Sequence, residues 1–364
     1  MAALAGIAHP GSGRDLIAGG HVQNVEVDDA GVARFQFLLQ PGDPGELLKE
    51  ARRTVEALDG VREVKVNVQL PQMGPRGGSG GGRQGGLKPG SVPAPTPKPG
   101  MLSDVRHVIA VSSGKGGVGK SMVAANLAAA FAREGRSVGL LDADIYGPNI
   151  PIMFGVTSRP SVTGEKGREL IEPIEAHGVR LMSLGFLLDP EQPAIMRGPL
   201  ISGVLKQFLG QVDWGPLDVM VVDMPPGTGD AQLSLVQSID LDGAVMVTTP
   251  QDVSTGDVRR GVKMFERVNT RVLGIVENMS GLACPHCGKP IDVFGSGGGE
   301  RLASEMKLPF LGRVPLDPAV ARAGDAGAPT VVSAPGSAAG QALSSVAATV
   351  LEALSVLVGG SATD

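Results

Sequence analysis

"HVIAVSSGKGGVGKSMVAANLAAAFAREG", residues 107–135, decides the fold. A continuous apolar run leads into a glycine-rich loop, and the loop leads into a stretch with helical composition. Short apolar runs of this kind suit strands covered on both faces, as in a parallel sheet. "GKGGVGKS", Gly114 to Ser121, fits G-x-x-x-x-G-K-[ST] between a strand and a helix, the setting this phosphate-binding loop requires. Glycines let backbone N–H groups converge on phosphate oxygens without Cβ clashes, and the helix N-terminus adds partial positive charge. Gly114, Lys115, Gly116, Gly117, Val118 and Gly119 therefore form a candidate cradle for ATP. Lys120 is placed to reach the β- and γ-phosphates, and Ser121 to ligate Mg²⁺.

The pattern repeats downstream. "SVGLLDAD" (137–144), "LDVMVVDMP" (217–225), "DGAVMVTTP" (242–250) and "RVLGIVEN" (271–278) are further apolar runs, separated by helical stretches such as "TGDVRRGVKMFERVN" (255–269). Alternation of this kind predicts an α/β domain with a doubly wound, mostly parallel sheet over residues 104–364. Its ligands collect at the C-terminal ends of the strands. Asp142 and Asp144 fall at one such end on the phosphate side, with Asp142 a candidate Mg²⁺ ligand. Asp223 falls at another, where a Walker-B carboxylate holds the metal's hydration shell, and Gly227 is placed to lend its N–H to the γ-phosphate.

Upstream, residues 72–103 are Gly-rich and then Pro-rich, a flexible tether running into a stiffer spacer. Residues 1–71 read as a small α+β unit: two alternating strands around "DDAG", a helix with Leu47, Leu48, Ala51, Val55 and Leu58 at helical spacing, and a returning strand after Gly60. Across all 364 residues the net charge of −5, with no basic run interleaved with aromatics, argues against nucleic acid as a partner. Neither a transmembrane stretch nor a secretory leader is evident, and two cysteines make no disulfide framework, so a cytoplasmic setting is expected.

Those two cysteines, Cys284 and Cys287 in "ACPHCGKP" (283–290), look like half of a four-ligand metal site. A thioredoxin-like redox pair and two incidental thiols are the alternatives. His286 between them is read as pointing away from the metal.

"KGGVGKS" resembles the signature of the deviant Walker-A ATPases of the MinD, ParA and nitrogenase iron-protein class. The resemblance implies a dimer in which Lys115 reaches the partner's nucleotide, positive charge supplied in trans like an arginine finger. It also implies that Asp144 positions the attacking water. Met122 departs from the usual Thr. In such a dimer the missing half of the metal site is a second copy of the first, because no other cysteine exists in the chain. Four thiolates then suit one [4Fe–4S] cluster or one zinc ion.

"LLDADIYGPNIP", "DMPPGTGDAQL", "TTPQDV", "ENMSGLACPHCG", "FGSGGGERLA" and "PFLGRVPLDPAV" narrow the resemblance to the Mrp/ApbC-type iron–sulfur cluster carrier ATPases. It implies an ATPase that binds a [4Fe–4S] cluster at its homodimer interface, takes it from a donor scaffold and passes it to apo iron–sulfur proteins, with Asn278 contacting adenine. The first unit resembles the metal–sulfur-cluster-biosynthesis domain often fused to these ATPases. Asp43, in "PGDP", stands where that domain commonly has a cysteine, so docking suits it better than thiol chemistry. The competing reading is a MinD/ParA-like positioning ATPase with a structural zinc. The last apolar stretch, residues 339–360, lacks Lys and Arg, which disfavours an anionic-membrane anchor and suits a helix packed on the sheet.

Overall fold

A computed structural model describes residues 2–7, 9, 15–28, 31–38, 46–58, 60–69, 102–144, 147–164, 169–187, 198–284 and 286–359. Asp43 and most of the 72–103 segment lie outside the described residues. Two units divide the chain, Met1–Pro89 and Gly90–Asp364.

The first unit contains α1 (Ala2–Ala5), β1 (Val22–Val27), β2 (Val32–Leu38), α2 (Glu46–Glu56) and β3 (Glu63–Gln69). β1 and β2 pair antiparallel across a short turn, whereas β2 and β3 run parallel, as a helical crossover between them requires. Ala33, Phe35 and Phe37 alternate onto the buried face, and Leu47, Ala51 and Val55 of α2 cover it at four-residue spacing. Leu58, expected on that stripe, is exposed because the helix ends two residues earlier, at Glu56.

In the second unit, β4 (Val105–Ser113) is followed by α3 (Lys120–Arg133), β5 (Val138–Asp142) and α4 (Ile150–Met153). Four short strands come next: β6 (Val162–Thr163), β7 (Leu170–Ile171), β8 (Ile174–Ala176) and β9 (Val179–Ser183). Then α5 (Gly198–Gly210), β10 (Leu217–Asp223), α6 (Asp230–Val236), β11 (Gly243–Thr248) and α7 (Asp252–Arg267) alternate. The chain closes with β12 (Val272–Ala283), β13 (Pro290–Ile291), α8 (Gly298–Met306), β14 (Phe310–Leu316), α9 (Pro318–Asp325), α10 (Thr330–Ser333) and α11 (Ala338–Gly359).

The main sheet runs β13-β12-β11-β4-β10-β5-β9-β8, with β14 also on β12. All pairings are parallel except β8 on β9 and β13 on β12. From β4 the chain first crosses towards β5, and later returns through β10 to β11 on β4's other side. That reversal opens a crevice at the C-terminal end of β4, where the glycine-rich loop begins.

Burial explains why the apolar runs are continuous: β5, β10 and β11 are buried on both faces almost throughout. Helix α3 is itself enclosed, with ten residues from Lys120 to Phe131 buried, so alanines replace an amphipathic pattern. Its buried Asn126 accepts from Val331 N–H at 2.9 Å and donates to Met122 O at 2.8 Å, which ties α10 to the loop-bearing helix. By length and composition α11 could cross a membrane over Ala338–Val356, yet its Leu343, Val346, Val350 and Leu354 are buried in the core of the second unit.

Candidate functional site

The glycine-rich loop links β4 to α3, and its last glycine is the helix N-cap. Gly119 takes φ 86° and ψ 23°, a left-handed conformation that a side chain resists. A Cβ there would also strike the amide nitrogen of Asn278. With no side chain capping α3, its first-turn N–H groups face the crevice. Gly114 fits closely under the backbone of Asp257 and Val258, so α7 braces the loop from behind. Lys115 is half-buried, and its carbonyl accepts the Ser113 hydroxyl at 2.9 Å. Met122, at the Thr position, lines an apolar cleft of about 390 Å³ with Ile152 and Val320.

Strand register assembles the acidic cluster. β5 and β10 pair so that Asp142 stands beside Asp223, and β5 and β9 pair so that Ser183 stands on Asp142's other side. Lys120, 6% exposed, lies across them. Its Nζ is 2.6 Å from Asp223 Oδ1 and 3.6 Å from Asp144 Oδ2, and donates to Ser121 Oγ at 3.2 Å. One buried cation thus stands among three carboxyl groups. Burial, then the Asp223 carboxylate, pushes Asp142 up to about 8, against the pull of Ser183 and Lys120. Burial also raises Asp223, with Lys120 opposing.

Asp142, expected on Mg²⁺, has hydrogen-bond partners at both oxygens. Its Oδ1 accepts from Asp144 N–H at 3.1 Å, while Oδ2 accepts from the Ser183 hydroxyl at 2.9 Å and Ile150 N–H at 3.3 Å. Both oxygens are committed to holding the segment that carries Asp144. By contrast Asp144 Oδ1 and Asp223 Oδ2 are buried with no partner. These two oxygens beside the Ser121 hydroxyl fit a hard divalent cation that takes few protein ligands. Consistently, no group of three or more His, Cys, Asp or Glu among the described residues is arranged to hold a metal unaided.

Two further expectations meet a different geometry. Gly227, at φ 91°, donates its N–H to Ser113 O at 3.2 Å. A γ-phosphate would have to draw it away. Asn278, 3% exposed, donates to Val118 O at 2.8 Å and so clasps the loop itself. Ser183 was not legible in the sequence, since only strand pairing brings it to Asp142. Glu277 was missed as well, although an acidic residue inside an apolar run is a signal in its own right.

Cysteines 284 and 287 sit on a hairpin at the far end of β12. The strand continues past Asn278 through two positive-φ residues, Met279 and Gly281, and β13 returns antiparallel beside it. Cys284 N–H donates to Lys289 O and Gly288 N–H to Cys284 O, both at 2.8 Å, closing a tight turn. Backbone N–H groups of His286 and Cys287, then the Cys287 thiol, hold the Cys284 thiol below its usual range. That favours the thiolate, the form that binds metals. Cys284 is half-buried, and Cys287 and His286 are exposed.

Known proteins of similar sequence and fold place the chain in a family. A family model described as NUBPL iron-transfer P-loop NTPase matches residues 104–351, and one described as iron–sulfur cluster assembly protein matches residues 1–68. An iron–sulfur cluster carrier protein of Synechocystis is 43% identical over 353 residues, 95% of this chain and 94% of its own. A carrier protein of Deinococcus radiodurans is 41% identical over 98% of this chain and 95% of its own. Among solved structures, a nucleotide-binding protein from Archaeoglobus fulgidus in complex with ADP, with cobalt found, aligns at a TM-score of 0.56 and 41% identity, covering 62% of this chain and 88% of that one. The cell-division ATPase MinD of Pyrococcus furiosus shares the fold at a TM-score of 0.51, with 21% identity over 68% of this chain and 99% of its own. The protein belongs to the iron-transfer P-loop NTPase family, joined to an iron–sulfur cluster assembly domain, and its relatives along nearly the whole chain include the two iron–sulfur cluster carrier proteins above.

Proposed function

We propose that two copies of this chain hold a [4Fe–4S] cluster between their Cys284/Cys287 pairs, hydrolyse ATP, and pass the cluster from a donor scaffold to apo iron–sulfur proteins. One observation carries this reading: a preorganised turn offers two thiols, one of them held towards thiolate, so one chain supplies half of a four-thiolate set. ADP in the Archaeoglobus relative supports the nucleotide half of the reading.

In the proposed reaction the loop amides of 114–121 bind the phosphates, and Lys120 leaves Asp223 and Asp144 for the β- and γ-oxygens. Release from Lys120 turns the Asp144 carboxylate towards the attacking water, and Asp142 keeps its backbone in place. The water oxygen bonds to the γ-phosphorus as the bridging P–O bond breaks, its proton ending on the released phosphate. Lys115 of each copy adds positive charge to the other's transferring phosphate. Ser121 and Asp223 are the residues that would hold Mg²⁺, which when bound would neutralise charge on the phosphate oxygens.

The test is anaerobic reconstitution with iron and sulfide. Wild type is expected to show a broad band near 400 nm and about four irons per dimer, and a Cys284→Ala/Cys287→Ala variant neither. One zinc per dimer, or a colourless protein indifferent to the substitutions, returns the protein to the positioning-ATPase reading.

A further inference from the structure

Midway along β12, just before its two positive-φ residues, two adjacent side chains, alternating as in any strand, face opposite ways. Asn278 clasps the phosphate loop. Glu277, fully buried, closes the neck of the loop that carries the cysteines. Its Oε1 accepts the Ser280 hydroxyl at 2.5 Å and Gly297 N–H at 2.8 Å, and its Oε2 accepts Gly299 N–H at 2.5 Å. Ser280 precedes the cysteine hairpin and Gly297 follows it, so a single carboxyl group joins both ends. Arg313 adds a charge partner, its Nε 3.7 Å from Oε1.

The glycine run "GSGGGE" (295–300) takes its meaning from this contact. A Gly-rich helix start resembles an anion site, but the N–H groups of Gly297 and Gly299 at the start of α8 already donate to a carboxyl group from within the chain. Any side chain at Gly298 would strike the Pro250 carbonyl, and one at Gly299 would press on Glu277 and Thr248, so these glycines bring the helix start close enough for the carboxyl group to reach.

We infer that Glu277 is a positioning residue for the cysteine pair: it sets the place from which Cys284 and Cys287 present their thiols, on the same strand that holds the phosphate loop. The inference rests on the carrier reading. Outer contacts that orient ligands typically change metal affinity by about 10–100-fold when removed. A glutamine keeps the size of Glu277 but sets an NH₂ group against one of the two N–H donors. Glu277→Gln, after iron–sulfide reconstitution of the full chain, is expected to lose iron to a ferrous chelator about tenfold faster than wild type. Its thiolate-to-iron band should shift while ATP hydrolysis stays within about twofold, since the Glu277 carboxyl group bonds Ser280, Gly297 and Gly299 and pairs with Arg313, away from the phosphate loop. Ser280→Ala, which removes one prong and leaves the α8 cap, should show a smaller acceleration in the same direction and covers the case of a poorly folding Glu277 variant. Wild-type release rates and spectra in both variants would overturn the inference, as would hydrolysis and iron retention falling in equal proportion. A wild-type protein that takes up no iron overturns the carrier reading itself, and this inference with it.

Discussion

Lys120→Met is expected to lower ATP hydrolysis by about three orders of magnitude and, with no nucleotide present, to destabilise the fold increasingly as pH rises. The first effect follows from losing the buried cation that lies across the carboxyl groups of the phosphate site. The second follows from what Lys120 does before ATP arrives. Its Nζ is the counter-charge for Asp223 at 2.6 Å and Asp144 at 3.6 Å, and it also draws Asp142 down. Removing one partner of a buried pair leaves the other charge uncompensated, at a cost of about 3–5 kcal/mol. In the variant the folded-state carboxyl groups hold protons to higher pH than the unfolded ones, so the deficit is small in acid and grows towards neutrality. Phosphate release at saturating ATP measures the first effect. Thermal melts of the EDTA-treated apo-protein at pH 5 and 8 measure the second. Equal melting-temperature deficits at both pH values would count against this account of the cluster.

Asp142→Asn is expected to flatten the pH dependence of the apo-protein's stability. Burial and the neighbouring Asp223 push Asp142 up to about 8 in the fold, far above the ordinary range of an aspartate in an open chain. The folded state therefore retains a proton that the unfolded chain gives up. Its contribution is fully present below about pH 4 and is lost as pH rises through 8, at about 1.4 kcal/mol per pH unit. The total is on the order of 5 kcal/mol. Asparagine is neutral throughout: its oxygen can accept from Asp144 N–H and its NH₂ can donate to Ser183 Oγ, at the expense of the longer bond from Ile150. Wild-type melting temperature should fall between pH 5 and 8, the variant's should fall much less, and by pH 8 the variant should be at least as stable. Parallel curves would show that Asp142 is ionised in the fold.

Local chemistry made much of the site legible. The strand, the glycine loop and the helix that starts at Lys120 are contiguous, so "SSGKGGVGKS" carries its own geometry. The run "RVLGIVEN" signalled a buried strand, but not that β12 continues past Asn278 through Met279 and Gly281 into the cysteine hairpin. Two residues in left-handed conformation interrupt the apolar pattern there, and only pairing with β13 shows the strand persisting. Asp142 and Asp144 looked like equals in "LLDAD". Their difference arises because β9 pairs with β5 and brings Ser183 to one of them.

The sequence by itself determined the phosphate loop, the buried strands that frame it and the count of two thiols, since each is a matter of neighbouring residues or of arithmetic. Only the tertiary structure decided which carboxyl groups stay open, where Lys120 rests, and what holds the cysteine loop. Those depend on strands distant in the chain, β5 beside β10 and β9, and β12 beside β14. Their register sets which polar atoms meet in the interior, where a buried group must find a partner or lose its charge.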